Sequence, residues 1–189
     1  MTPMPATPAT PTQALTSATL AGGCFWCLEA VFQRVKGVVH VESGYSNGQT
    51  PSPSYDDVCG GQTGYAEVVR LTFDPAVITY TQLLTIFLAI HDPTSLNRQG
   101  HDEGTQYRSG IYTHDAEQQA QAEAFLRTAQ AHYPDPIVTE VVPVERYHCA
   151  ETYHQRYFEQ HPGAGYCAMV VAPKVHHAQV QFGNWLRAD

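Results

Sequence analysis

Two glycines running into a C-x-x-C pair, Gly22-Gly23-Cys24-Phe25-Trp26-Cys27, constrain this chain more than any other feature. Small and apolar residues, Ala18 to Ala21, lead into the glycines, and an amphipathic run from Phe25 to Val35 follows. That order predicts strand, glycine turn, helix. Cys24 then stands at a helix N-terminus, where unpaired amide N–H groups and the positive end of the helix dipole favour an anion. The spacing therefore predicts a stabilised thiolate and a nucleophilic sulfur. Phe25 and Trp26 bring no acid–base chemistry. Two large rings beside a thiolate either wall a pocket for a small hydrophobic group or pack as core residues of the helix. A C-x-x-C pair also forms half of a zinc site, but no second Cys/His pair stands at comparably short spacing, so no metal is assigned.

Composition narrows the alternatives. With 189 residues and 43% apolar content, the chain supports one globular domain over residues 18–189 with a sizeable core. Met1 to Ser17, dominated by Thr, Pro and Ala, read as a flexible arm; they have neither the basic start nor the continuous apolar stretch of a secretory signal. A net charge of -8 with ten Lys plus Arg gives no basic footprint for nucleic acid or an anionic membrane. No run reaches the ~18 apolar residues of a membrane span. The expected setting is cytoplasmic and reducing, and the expected state a monomer. The five cysteines, Cys24, Cys27, Cys59, Cys149 and Cys167, then read as catalytic or free thiols rather than a disulfide framework.

Beyond the arm the pattern is mixed. Val38 to Ser43 suits a strand, Gly44 to Pro53 a long loop, and Ser54-Tyr55-Asp56-Asp57 a short capped turn. Ala66 to Phe73 reads as a buried strand, and Thr79 to Ile90 as a helix ending before Asp92-Pro93. A polar loop from Asp92 to Thr105 precedes a strand over Gln106 to Thr113, and Ala116 to His132 is the clearest helix. Ile137 to Val144 suits a strand, Glu151 to Gln160 a helix, and Pro173 to Arg187 a last short helix. The sum is an α+β arrangement, a mixed or antiparallel sheet with packed helices.

Eight clusters, in order, carry a resemblance that periodicity alone does not give. They are Gly23-Cys24-Phe25-Trp26, Gly44-Tyr45, Ser54-Tyr55 with Val58-Cys59, Gly64-Tyr65-Ala66-Glu67-Val68, His91-Asp92-Pro93, Gly104-Thr105-Gln106-Tyr107-Arg108-Ser109, Ala150-Glu151 with Tyr153-His154-Gln155, and Gly165-Tyr166-Cys167. From about Leu20 to about Lys174 the chain resembles the peptide methionine sulfoxide reductase A family. The resemblance implies a two-layer sandwich with a ferredoxin-like core. It also implies reduction of the S epimer of methionine sulfoxide, in oxidised proteins and as the free amino acid, as oxidative damage repair. No metal or organic cofactor is implied, and thioredoxin or another dithiol is the implied reductant.

Reducing a sulfoxide needs a nucleophile at sulfur and a proton for the departing oxygen, because bare oxide is a very poor leaving group. Cys24 supplies the first. Glu67, on the strand pattern Ala66-Glu67-Val68-Val69, supplies the second if apolar surroundings keep it protonated; from the residues alone a solvent-facing strand position is the preferred reading, and only the resemblance reverses it. By resemblance, Tyr55 and Tyr107 donate hydrogen bonds to the same oxygen. Phe25 and Trp26 form the pocket for the S-methyl group, and Asp102 holds the substrate's backbone amide. His154 matches a family feature read as structural. For the resolving thiol two candidates stand open. Cys27 lies one helical turn from Cys24, and Cys167 lies among glycines in a segment read as mobile, which resolves in many family members and is placed first. Cys59 and Cys149 read as incidental thiols. A thiol-disulfide oxidoreductase and a non-catalytic metal or peptide module are the rival readings, and both leave Glu67, Tyr55 and Tyr107 without a task.

Overall fold

A computed structural model describes residues 14–188 of the chain. Its sheet grows from the unit predicted around the glycines. β1 (Thr16–Ala21) runs through Gly22-Gly23 into α1 (Phe25–Phe32), and β2 (Val38–Ser46) returns antiparallel to β3 (Ala66–Phe73). The short α2 (Tyr55–Cys59) lies between β2 and β3. α3 (Tyr80–Ala89) follows β3, and a two-stranded hairpin of β4 (Arg98–Gln99) and β5 (Asp102–Glu103) leads to β6 (Gly110–Thr113). α4 (Ala116–Ala129), β7 (Glu140–Pro143), β8 (His148–Cys149), α5 (Tyr157–Gln160) and α6 (Ala172–Phe182) complete the order.

The large sheet runs β7-β6-β1-β3-β2-β8, antiparallel throughout except for the parallel β6–β7 edge. Its centre, β6-β1-β3-β2, joined in the sequence β1α1β2β3α3β6, is the ferredoxin-like core. The sheet faces differ. Leu20, Val41, Val69 and Leu71 point into the main core with α1, α3 and α6, whereas Ala21, Ala66, Val68 and Tyr112 form a smaller cluster covered by Val142, Val144 and Tyr147. α1 is the hub of the larger core. It is not amphipathic as predicted: of its eight residues only Trp26 keeps appreciable exposure. Phe25, Leu28 and Phe32 are each fully buried, a gain of ~1.5–3 kcal/mol apiece before entropy.

Several element boundaries move. Thr16 and Ser17, read as the end of the arm, pair with Phe73 and Thr72 as the first residues of β1; residues 1–13 of that arm lie outside the described residues. Gly44 to Ser46 belong to β2 rather than to a loop, paired with Val68 to Ala66. The predicted strand at Gln106 begins only at Gly110, because Thr105–Tyr107 winds into a 3-10 turn that Arg108 ties to Glu140 (2.7 Å) and to the Gly64 carbonyl (3.0 Å). The predicted helix Glu151 to Gln160 breaks at Arg156, whose φ is +55°, into a 3-10 turn Thr152–His154 and the short α5. Around Cys167 the chain is a π-helical stretch, Cys167–Val171, continuous with α6.

Candidate active site

The glycine turn sets the geometry of the site. Gly23 has a φ of +84°, and a Cβ there would stand 2.8 Å from the Gln99 side chain, so both conformation and space call for glycine. Gln99 in turn clamps the start of the hairpin loop, accepting from Asp92 N–H (2.9 Å) and donating to the Asp92 carbonyl (2.6 Å). Cys24 follows as the N-cap of α1, extended at φ −61° and ψ 126°. The first two amides of the helix are divided between two groups: Phe25 N–H donates to Glu67 Oε1 at 3.3 Å, and Trp26 N–H donates to the Cys24 sulfur.

Glu67 lies on the core side of β3, opposite Tyr45 of β2, and is 1% exposed. Burial pushes its pKa up to about 8 against the opposing pull of the Phe25 amide, so the carboxyl is mostly protonated at neutral pH. Burial also dominates at Cys24. Together with the Cys27 thiol, to which Cys24 hydrogen-bonds, and the charge of Glu67, it raises the Cys24 thiol well above its ordinary value. The stabilised thiolate predicted from the helix N-terminus is corrected here, because loss of water around the sulfur outweighs one amide donor. Cys27 moves the opposite way, lowered by the bond from Cys24 and, against burial, by the facing Lys174 ammonium.

Tyr107 lies within electrostatic range of Glu67, Asp102 and Cys24, and Tyr55 within range of Glu67 and Tyr107. Burial raises both hydroxyls, so each is a proton-bearing donor. Tyr55 is held by its backbone N–H to Glu151 Oε2 (3.1 Å) and by packing on His154, with ring centroids 4.4 Å apart. The two rings beside Cys24 are unequal. Phe25 is fully buried against Tyr45 and His154, whereas Trp26 is half-buried and keeps an accessible surface. Trp26 lies flat on Tyr157 at 3.8 Å and 6°, meets Tyr166 edge-on, and donates from Nε1 to His154 Nδ1 at 3.2 Å.

Asp102 accepts a 2.6 Å bond from the Tyr166 hydroxyl, which also lies 3.9 Å from the Cys27 sulfur. A cavity of about 610 Å³ opens beside Cys24, and His91, Gln99, Asp102, Tyr166 and Lys174 line it. Cys24 thus stands between this cavity and the Glu67–tyrosine cluster. Cys167, predicted on a mobile segment, is wound into the π-helical stretch and fully buried, its thiol raised by burial and by Cys27. Cys59 and Cys149 are exposed. Among the described residues no group of three or more His, Cys, Asp or Glu side chains is placed to hold a metal, and no helix is long and apolar enough to cross a membrane.

Sequence reasoning missed Tyr157, Tyr166 and Lys174 as neighbours of the site. Tyr166 had a signal, since it adjoins Cys167 in a quoted motif; Tyr157 and Lys174 had none, because their positions depend on how the C-terminal segment folds back on α1.

A buried thiol pair at a strand-to-helix turn, beside a protonated carboxyl and two hydroxyl donors, defines a thiol-dependent oxidoreductase on an α+β sheet. The family described as Peptide methionine sulfoxide reductase matches residues 16–185. A peptide methionine sulfoxide reductase MsrA of Polynucleobacter asymbioticus is 52% identical over 170 residues, covering 89% of this chain and 90% of that protein. The reduced form of Mxr1 from Saccharomyces cerevisiae superposes with a TM-score of 0.78 at 37% identity, over 84% of this chain and 91% of that one. Mxr1 in complex with Trx2 superposes at 0.55 with 25% identity, over 78% and 87%. The chain belongs to the peptide methionine sulfoxide reductase family and is an enzyme of that class.

Proposed function

We propose that the chain reduces the S epimer of methionine sulfoxide, in proteins and as the free amino acid, through Cys24. The observation that carries this reading is the protonated, buried Glu67 sharing the α1 N-terminus with the Cys24 sulfur. Cys24 attacks the sulfoxide sulfur as Glu67 gives its proton to the oxygen, with Tyr55 and Tyr107 donating hydrogen bonds to that oxygen, and the proton shed by the Cys24 thiol returns Glu67 to its acid form. Two electrons pass from the Cys24 sulfur to the substrate sulfur. The oxygen ends on Cys24 as a sulfenic acid, and methionine leaves as the thioether. Trp26, backed by the buried Phe25, faces the S-methyl group, and Asp102, oriented by Tyr166, takes the substrate's backbone amide.

Cys27 is the first resolver. Its thiol already hydrogen-bonds Cys24 and is the lowered member of the pair, which supports its attack on the sulfenic sulfur, with the oxygen lost as water and a Cys24–Cys27 disulfide formed. Cys167, buried within electrostatic range of Cys27, then attacks Cys27 and opens that bond, releasing the Cys24 thiol and leaving Cys27–Cys167. This order reverses the sequence-based preference for Cys167. A dithiol closes the cycle; thioredoxin fits that role, supported by the relative Mxr1 having been seen with Trx2. No metal or organic cofactor has a step in this scheme.

The test is turnover of the separate S and R epimers of a blocked methionine sulfoxide with dithiothreitol. Turnover of the S epimer alone, abolished by Cys24→Ser, is the expected result. Turnover of the R epimer, or of either by the Cys24→Ser variant, rejects the reading.

A further inference from the structure

Glu29 is an acidic residue inside a helix that is otherwise apolar, 1% exposed, with its pKa raised by burial to about 7, and without a task in the scheme above. Its carboxylate faces backbone rather than a cation. Oε1 accepts the Arg156 N–H at 2.6 Å, and the Tyr157 N–H donates to the same carboxylate. The Arg156 guanidinium is turned to solvent, paired with Glu159 at 2.6 Å. Arg156 is also the residue with φ +55°, the left-handed turn that splits the predicted Glu151–Gln160 helix in two. A left-handed non-glycine residue persists only where surrounding structure over-determines it, and two bonds to a buried carboxylate supply that determination.

The turn so held carries both partners of Trp26. Two residues before Arg156 is His154, whose Nδ1 accepts from the Trp26 indole; one residue after is Tyr157, whose ring lies flat on Trp26. Glu29 itself sits one helical turn beyond Trp26 on α1, so one short helix presents both the ring and the anchor for the segment gripping it. We infer that Glu29 is a positioning residue for substrate discrimination: by clamping the Arg156–Tyr157 turn it fixes the plane of Trp26 and so the size of the group accepted beside Cys24. This rests on the reading that Trp26 faces the S-methyl group.

The experiment compares methionine sulfoxide with its S-ethyl homologue, and reads Trp26 by near-ultraviolet circular dichroism in a Trp185→Phe background, since the chain has only these two tryptophans. Glu29→Ala is expected to raise KM for the methyl substrate about tenfold with kcat less affected, a loss of positioning rather than of chemistry. The methyl-over-ethyl preference narrows, the Trp26 signal weakens, and the alkylation rate of Cys24 stays the same. Glu29→Gln, which keeps an acceptor oxygen, restores most of the preference. If Glu29→Ala does not fold, Tyr157→Ala should narrow the preference and Tyr157→Phe should not, because the stack is kept. An unchanged methyl-to-ethyl ratio with an unchanged Trp26 signal overturns the inference. If the parent protein turns over neither sulfoxide, the functional reading fails by itself, and the optical signal still decides whether Glu29 holds the ring.

Discussion

Glu67 shows how one carboxyl trades stability for chemistry. Folding buries it and moves its pKa from the ordinary 4.5 to about 8, so the native state favours the protonated form. The stability this represents is fully present below pH 4.5 and is lost as pH rises through about 8, where the native state must carry a buried charge. Glu67→Gln, permanently neutral, is therefore expected to melt above the parent by a margin that widens from pH 5 to pH 8 and then levels, followed by thermal denaturation. In the proposed scheme the same change removes the acid, and kcat/KM should fall by ~10²–10⁴, the usual contribution of a positioned proton donor. A variant that is both no more stable at pH 8 and fully active would reject the protonated-carboxyl assignment. The burial of Glu67 was legible in the strand itself: it lies in phase with Val69, Leu71 and Phe73, all core-facing. Charge argued for solvent, and the period-two pattern was the better guide. At Cys24 the sequence misled, because spacing reveals a helix N-terminus but not how much water the fold leaves there.

At the scale of elements, local signals held where local chemistry decides. The Ser54/Asp57 capping box opens α2, Thr79/Gln82 opens α3, and the buried run Ala66–Phe73 is β3 from end to end. They failed where a distant partner decides. Glu29 reaches Arg156 across 127 positions and ends a helix that composition favours, and Arg108 pulls Thr105–Tyr107 out of the predicted strand. The β1–α1 turn combines both levels, since Gly23 needs a positive φ and lies against Gln99 of the hairpin. Gly23→Ala should therefore cost ~1–3 kcal/mol in urea denaturation. It should also lower activity, because any relief moves either Cys24 or the hairpin carrying Asp102. A fully stable, fully active Gly23→Ala variant would show that the turn has slack the geometry denies.

Across the whole molecule, the ferredoxin-like core puts β1 at the centre of the sheet and so buries the start of α1, where the two halves of the proposed chemistry meet. In the proposed scheme Glu67 and the tyrosines serve the substrate's oxygen, and Cys27 and Cys167 serve the sulfur that has taken it. The α+β class and the cluster Cys24, Glu67, Tyr55 and Tyr107 were legible in the sequence, the latter through resemblance. The approach of Tyr157, Tyr166 and Lys174 to the site was not, because it depends on the C-terminal segment folding back over α1, a contact with no local signature. The most direct measurement is mass mapping of disulfides and methionine yield after the protein meets one equivalent of S-sulfoxide without reductant. The account predicts one methionine per chain and a disulfide at Cys24–Cys27 or its successor Cys27–Cys167, with Cys24–Cys27 alone in a Cys167→Ser variant. A Cys24–Cys167 bond with Cys27 still reduced, or methionine formed while Cys24 stays unmodified and unpaired in that variant, would contradict it.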